Sequence, residues 1–255
     1  MVLYEVTPPR ATITIDDPDR RNPLSVAVMG ELHRHTLAAL ADPEVKVLVY
    51  TGAGDRAFSA GGDLQAGFAD DPIGLHQARG SLARLVRAMW GGGKPTVARV
   101  NGHALAGGFG LACACDIVIC VADAKLGTPE IDLGLWPMMI SAVLIRTMPR
   151  KAALELMMTG RLIDPIEALH LGAVSRVVDR AELDGAVDQT VAALAAKSTL
   201  ALAMGRDSFY AMADLGTDAA LDRLQGGLTA ITLTEDAAEG LRAFNEKRPP
   251  RWQGR

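Results

Sequence analysis

The stretch TVARVNGHALAGGFGLACACDIVICVAD, residues 96–123, decides the fold class. Its first seven residues are mostly β-branched or apolar and stop at Gly102, as a buried strand would. HALAGGFGLACAC, residues 103–115, reads as a glycine loop feeding a helix of small residues that can pack closely on a sheet. DIVICVAD, residues 116–123, is a second apolar run of strand length. A strand, a loop, a helix and another strand in so short a stretch predict an α/β protein with a parallel sheet.

The same texture extends in both directions. ATITI (11–15) alternates as a strand, DDPDRRNPLS (16–25) is turn chemistry, and Met29, Leu32, Leu37 and Leu40 recur at helical spacing. VKVLVY (45–50) is a further strand, and a helix over 75–90 is broken by GGGKP. Downstream, 151–159 reads as helix. In DPIEALHLG (164–172), Asp164 caps a helix, Pro165 sits where a missing N–H costs nothing, Glu167 holds the capping-box position and Gly172 stops it. AVSRVV (173–178) is a last short strand. From Glu182 the chain is alanine-rich and helical, and most of the remainder to Phe244 reads as helix. The expected layout is an α/β core over 1–195 and a helical region over 196–255.

With 255 residues, 49% of them apolar, the chain can bury a sizeable core. A net charge of -4, scattered basic residues and 4% aromatics leave no nucleic-acid footprint. Cys113, Cys115 and Cys120 share one apolar run and have no metal-ligand spacing, so they are expected to be reduced core thiols, with no metal site. With no signal-like N-terminus and no run of membrane-spanning length, the sequence reads as a soluble cytoplasmic protein.

Two glycine loops carry the chemistry. Gly52-x-Gly54-x-x-Ala57 literally matches a dinucleotide turn, but Gly61 and Gly62 stand where its helix should begin, and no P-loop lysine is present. AFSAGGDL (57–64) and LAGGFG (105–110) each place paired glycines after an expected parallel strand. If the loops face each other, each can offer one N–H to the same oxygen, an oxyanion hole. The competing reading is that glycine only lets helices pack tightly on the sheet. Ser25 and Ser59 lie outside any G-x-S-x-G elbow, His103 is expected to be structural, and His33 and His35 cannot face one site. In AKLGTPEIDLGLWPMMIS (124–141), Glu130 and Asp132 sit among apolar residues, which raises a carboxyl pKa toward neutrality. Either acid could act. Trp136, Met138 and Met139 could line a pocket but are by default core.

Six stretches, in order and at matching separations, resemble the crotonase family, also called the enoyl-CoA hydratase/isomerase family. They are DRRNPLS (19–25), AFSAGGDL (57–64), NGHALAGGFGLACACDIVI (101–119), LGTPEIDLGL (126–135), GRLIDPIEALHLGAVSRVV (160–178) and GLRAFNEKRPPRW (240–252). The resemblance implies a spiral of ββα units, C-terminal helices that form a homotrimer or homohexamer, and an acyl-CoA substrate. CoA would enter as part of the thioester, with no separate cofactor. It places the oxyanion-hole amides at Gly62 and Gly107, and CoA contacts at Arg21, Pro23, Leu24, Ala60, Leu64, Phe244 and Lys247. It makes Glu130 the catalytic acid/base, with Asp132 as the candidate for a second acid.

One departure stands out. Family hydratases carry two glutamates flanking a water. The second corresponds to Glu130, whereas the first falls at Gly110. A lone glutamate resembles the enoyl-CoA isomerases, in which it shuttles a proton between C2 and C4. Loss of a positioned acid/base typically costs about 10²–10⁴-fold, so isomerisation is the leading expectation. Hydration of the 2,3 double bond and non-catalytic acyl-CoA binding are the alternatives. GLWPMMIS (134–141) replaces a glycine-rich segment common in hydratases and points to an unusual acyl group.

Overall fold

The computed structural model describes residues 1–63 and 72–255. Among the described residues, a six-stranded sheet has the order β1 (Val2–Thr7), β2 (Arg10–Ile15), β3 (Val47–Gly52), β5 (Thr96–Val100), β7 (Ile117–Val121), β10 (Arg176–Val178), and a four-stranded sheet the order β4 (Ala57–Ser59), β6 (His103–Leu105), β8 (Leu126–Gly127), β9 (Leu162–Ile163). The chain opens with an antiparallel pair, β1 (Val2–Thr7) and β2 (Arg10–Ile15). Helix α1 (Val26–Ala41), capped by the Ser25 hydroxyl on Val28 N–H, crosses to β3 (Val47–Gly52), which pairs parallel with β2. All six residues of β3 are buried, as expected for a strand covered on both faces.

From β3 the chain winds in a repeating path. β3 runs into β4 (Ala57–Ser59), and α2 (Pro72–Gly91) returns to β5 (Thr96–Val100). β5 runs into β6 (His103–Leu105), and α3 (Gly107–Ala114) returns to β7 (Ile117–Val121), which is followed by β8 (Leu126–Gly127). The first strand of each turn joins the large sheet in parallel, and the second joins the small sheet. This is a ββα spiral.

The corners between the sheets explain two glycines. A Cβ on Gly52 would lie 2.3 Å from Phe58 O, and one on Gly102 would lie 2.5 Å from Arg56 O. The buried amide of Asn101 braces the same corner, donating to Gly52 O and Gly54 O and accepting from Gly52 N–H.

Helices α4 (Met138–Thr147) and α5 (Arg150–Thr159), β9 (Leu162–Ile163), α6 (Pro165–His170), β10 (Arg176–Val178) and α7 (Leu183–Ala195) complete this part of the chain. Then come α8 (Thr199–Met212), α9 (Thr217–Thr232) and α10 (Glu235–Asn245). Asp116 ties α8 to the start of β7. Arg206 donates to it from both Nε and Nη2 at 3.0 Å, and Tyr210 from its hydroxyl at 2.6 Å, while Tyr210 stacks on Trp90.

The structure departs from the expected elements in several places. β1 was not expected, although VLYEVT alternates in burial as a half-covered strand should. β4 and β6 were read as loop. Each has three residues and flanking glycines, and pairing in the small sheet makes them strands. β3 lies two residues later than expected, and the expected strand over 173–178 shortens to β10. On α1, Leu37 is exposed and the buried stripe instead contains Val28, Met29, Leu32, Thr36 and Ala39. Met138 and Met139 are likewise exposed rather than core, because they begin a helix whose inward side carries Ile140, Val143 and Leu144.

The three cysteines are buried and free, and burial pushes the Cys120 thiol up to about 12, so they stay protonated. Asp164 caps α6 through Glu167 N–H as expected, but the Glu167 carboxylate pairs with Arg161 instead of closing a capping box.

Candidate active site

Strands β4, β6 and β8 lie side by side and parallel, so their C-terminal ends share one edge of the small sheet. Gly62, Gly107 and Glu130 follow those ends by three, two and three residues respectively. The edge beyond parallel strand ends is where loops converge into a crevice. Topology therefore brings together the three residues expected to carry the chemistry.

The first amide is oriented by pairing. Leu24 N–H donates to Gly61 O at 2.7 Å, and Leu24 O accepts from Asp63 N–H at 3.4 Å. In such a parallel bridge the middle residue, Gly62, turns its own N–H to the opposite side. The second amide opens a helix. Gly107 is the first residue of α3, so its N–H has no acceptor within the helix. Neither N–H is paired with an acceptor among the described residues.

The two loops touch. A Cβ on Gly61, which has φ +90°, would lie 2.6 Å from Ala106 Cβ and 2.9 Å from Leu105 O, and one on Gly107 would lie 3.9 Å from Gly62 N. Ala106 itself has φ +50°, a strained value for a residue with a side chain, costing on the order of 1–3 kcal/mol. The Ser59 hydroxyl accepts from Gly61 N–H and is buried, so it shapes the loop and is no exposed nucleophile.

Glu130 sits in a 3-10 turn, Pro129–Leu133. It is half-buried, and its Oε2 is buried without a hydrogen-bond partner among the described residues, as is the Thr128 hydroxyl two residues earlier. Burial raises its pKa above the usual glutamate value, and its own backbone N–H offsets this in part. Asp132, by contrast, is exposed, and its carboxylate lies against Gly160 at the end of α5. The apolar surroundings expected for both acids hold for Glu130 alone.

The raised pKa has a consequence for stability. Between the ordinary glutamate pKa and the raised folded value, the native state holds a proton that the unfolded chain has released. Stability therefore falls as pH rises through that window. Glu130→Gln is expected to melt above wild type at neutral pH, and the gap should close in acid. Thermal melts at the two pH values check this.

Gly110, three residues past Gly107, faces Ile140 on α4. A Cβ at Gly110 would lie 2.0 Å from Ile140 Cγ2 and 2.4 Å from its Cβ. The resemblance puts the first acid at this position, and in the fold Ile140 fills the space that any side chain at Gly110 would need. Gly110→Ala should cost about 1–3 kcal/mol by overpacking. Ile140→Ala would not relieve this, because the Cβ remains, whereas Ile140→Gly would. Denaturation of the two double variants distinguishes them.

The positions expected to hold CoA are placed as follows. Arg21 is exposed, and Pro23 and Leu24 are buried beside the first glycine loop. Ala60 N–H donates to Arg21 O, and Arg20 pairs with Asp63 at 2.7 Å, so residues 20–24 and 60–63 form one surface. Leu64 lies outside the described residues. Phe244, 81% exposed, is on α10 and Lys247 just follows it; neither shares a hydrogen bond with those loops among the described residues. His103 accepts from Lys125 N–H through Nδ1, a structural role.

Residues 10–255 match the family model described as enoyl-CoA hydratase/isomerase. The chain belongs to the enoyl-CoA hydratase/isomerase family. It is 36% identical over 245 residues to a Thermus thermophilus protein provisionally named enoyl-CoA hydratase, covering 95% of this chain and 96% of the relative. It is 34% identical over 248 residues to an Escherichia coli carnitinyl-CoA dehydratase, covering 95% and 94%. Its structure resembles that of an enoyl-CoA hydratase from Mycobacterium smegmatis with a TM-score of 0.94 at 29% identity, covering 98% of each chain. The protein is thus an acyl-CoA enzyme of the hydratase/isomerase family, with that family's crotonase fold. No helix among the described residues is long and apolar enough to cross a membrane.

Sequence reasoning missed Ile140, Ala106 and Thr128. Ile140 could not be found because nothing in the sequence shows that α4 meets α3 at Gly110. An alanine gives no sign of positive φ. Thr128 could have been noticed beside Pro129 and Glu130, but its burial belongs to the fold.

Proposed function

We propose that the enzyme moves a double bond within an enoyl-CoA, with Glu130 as the only proton carrier. The observation that supports this most is Ile140 over Gly110. It fills the place of a second acid, while Glu130 remains half-buried with a raised pKa. Glu130 removes a proton from C2 of a 3-enoyl thioester, and the electrons of the C2–H bond delocalise onto the thioester oxygen. The N–H groups of Gly62 and Gly107 stabilise that dienolate oxygen. Glu130 then returns the proton to C4, and the C3=C4 bond becomes C2=C3. The balance needs no water, metal or redox partner, so CoA is required only as part of the substrate.

Hydration is the second reading, favoured by the names of the hydratase and dehydratase relatives. It needs a second group to activate or protonate across the double bond, and Asp132 is the candidate. Its exposure and its position against Gly160 weigh against it. Rates of conjugation of a 3-enoyl-CoA and hydration of the matching 2-enoyl-CoA test the choice. Conjugation is expected to be at least ~10²-fold faster, and faster hydration would overturn the proposal.

We also infer a homotrimer or homohexamer built through α8–α10. In the single subunit no residue of α8 or α9 is fully buried, and Phe209, Leu221, Leu228 and Phe244 are all exposed. The three free buried thiols suit a reducing, cytoplasmic setting.

A further inference from the structure

A cleft of about 380 Å³ opens beside Gly110, between α2 and α4. Gly110 lies three residues past Gly107, a rise of about 4.5 Å along α3. The cleft therefore begins about one helical turn from the amide assigned to the thioester oxygen. Its lining is largely apolar, with Val86, Ile140 and Val143, and Ile140 lies against Gly110. Arg87, Arg146 and Asp214 also line it, with Arg146 six residues along α4 from Ile140, about 9 Å away. Arg146 is neutralised by Asp214 and also donates to Ala142 O. Arg87 has no acidic partner among the described residues, so the charged lining carries one net positive charge.

We propose that this cleft takes the acyl chain and that Arg87 receives a carboxylate at the chain's far end, so that the preferred substrate is an ω-carboxyacyl thioester. This rests on the acyl-CoA reading but not on the choice between isomerisation and hydration. A methyl-ended chain long enough to reach Arg87 would put its end against a charged group and gain nothing from it. A chain ending in a quaternary ammonium would be repelled by it. A carboxylate can accept two parallel N–H bonds from the guanidinium, a charge-assisted geometry that neither alternative can make.

The test titrates the full-length protein with matched saturated thioesters: hexanoyl-CoA and adipoyl-CoA, octanoyl-CoA and suberoyl-CoA, decanoyl-CoA and sebacoyl-CoA. At the length that reaches Arg87, the ω-carboxylate member is expected to bind about tenfold tighter. Arg87→Gln should bring that affinity ratio to about one, and Arg87→Glu should invert it. A ratio near or below one at every length in the wild type, or a ratio unchanged in Arg87→Glu, overturns the proposal while leaving the acyl-CoA reading intact. Failure of the wild type to bind any of the six overturns both.

Discussion

Glu130→Gln lowers kcat for double-bond migration by about 10²–10⁴-fold, with little change in thioester affinity. Gln keeps the size and polarity of the side chain but cannot take the C2 proton. The effect falls on kcat because the amides of Gly62 and Gly107, which would bind the carbonyl, are untouched. The wild-type pH profile should carry the same signature. Only the ionised carboxylate is a base, and burial raises its pKa, so kcat/KM should rise with pH through a midpoint above the usual glutamate range. Gln should abolish that step. Steady-state kinetics across pH on both proteins measure the effect, and a variant with full activity would remove Glu130 from the mechanism.

Gly61→Ala reduces kcat by roughly 10²–10³-fold, the cost typical of losing one oxyanion donor. Gly61 does not bind the oxygen, but it sets where Gly62 N–H points. Its φ of +90° is strained for alanine, and the added Cβ would lie 2.6 Å from Ala106 Cβ and 2.9 Å from Leu105 O. Ala106 is already strained at positive φ and opens the helix that carries the other amide. The clash must push the loops apart, so the two N–H groups would no longer be placed to share one oxygen, as we propose they do. Gly30→Ala is the control, because nothing lies within 4 Å of a Cβ there. Thermal melts separate loss of the hole from loss of the fold: a Gly61→Ala protein that melts cooperatively yet turns over slowly supports the hole. One with wild-type kcat would show that the glycines serve only packing.

The packing reading of the glycines, left open by the sequence, holds at particular positions, while the catalytic reading is our proposal for Gly62 and Gly107. A Cβ on Gly108 would lie 2.5 Å from Ser59 O, so that glycine lets α3 sit on β4. Gly62, with nothing within 4 Å of a Cβ, has no such packing reason. Residue type alone could not separate the two, because both uses require the same absence of a side chain. The middle of the large sheet was legible because β2, β3, β5 and β7 are five or six residues long and largely apolar or alternating. The small sheet was not, since three-residue strands such as β4 carry too few positions to show a period, and only their neighbours make them strands. Glu130 and Asp132 looked equivalent two residues apart, and the 3-10 turn half-buries one and exposes the other. The absence of an acid at Gly110 was visible in one letter, whereas the blocking of its space by Ile140 needed three dimensions.

The most direct measurement follows the hydrogen itself. A 3-enoyl-CoA deuterated at C2 is incubated with the wild-type enzyme, and the products are read by NMR and mass spectrometry. Proton transfer by one carboxylate predicts a conjugated 2-enoyl-CoA with part of the label delivered to C4 and no 3-hydroxyacyl-CoA. A 3-enoyl thioester left unchanged, while the matching 2-enoyl thioester is converted to its 3-hydroxyacyl product, would contradict the account.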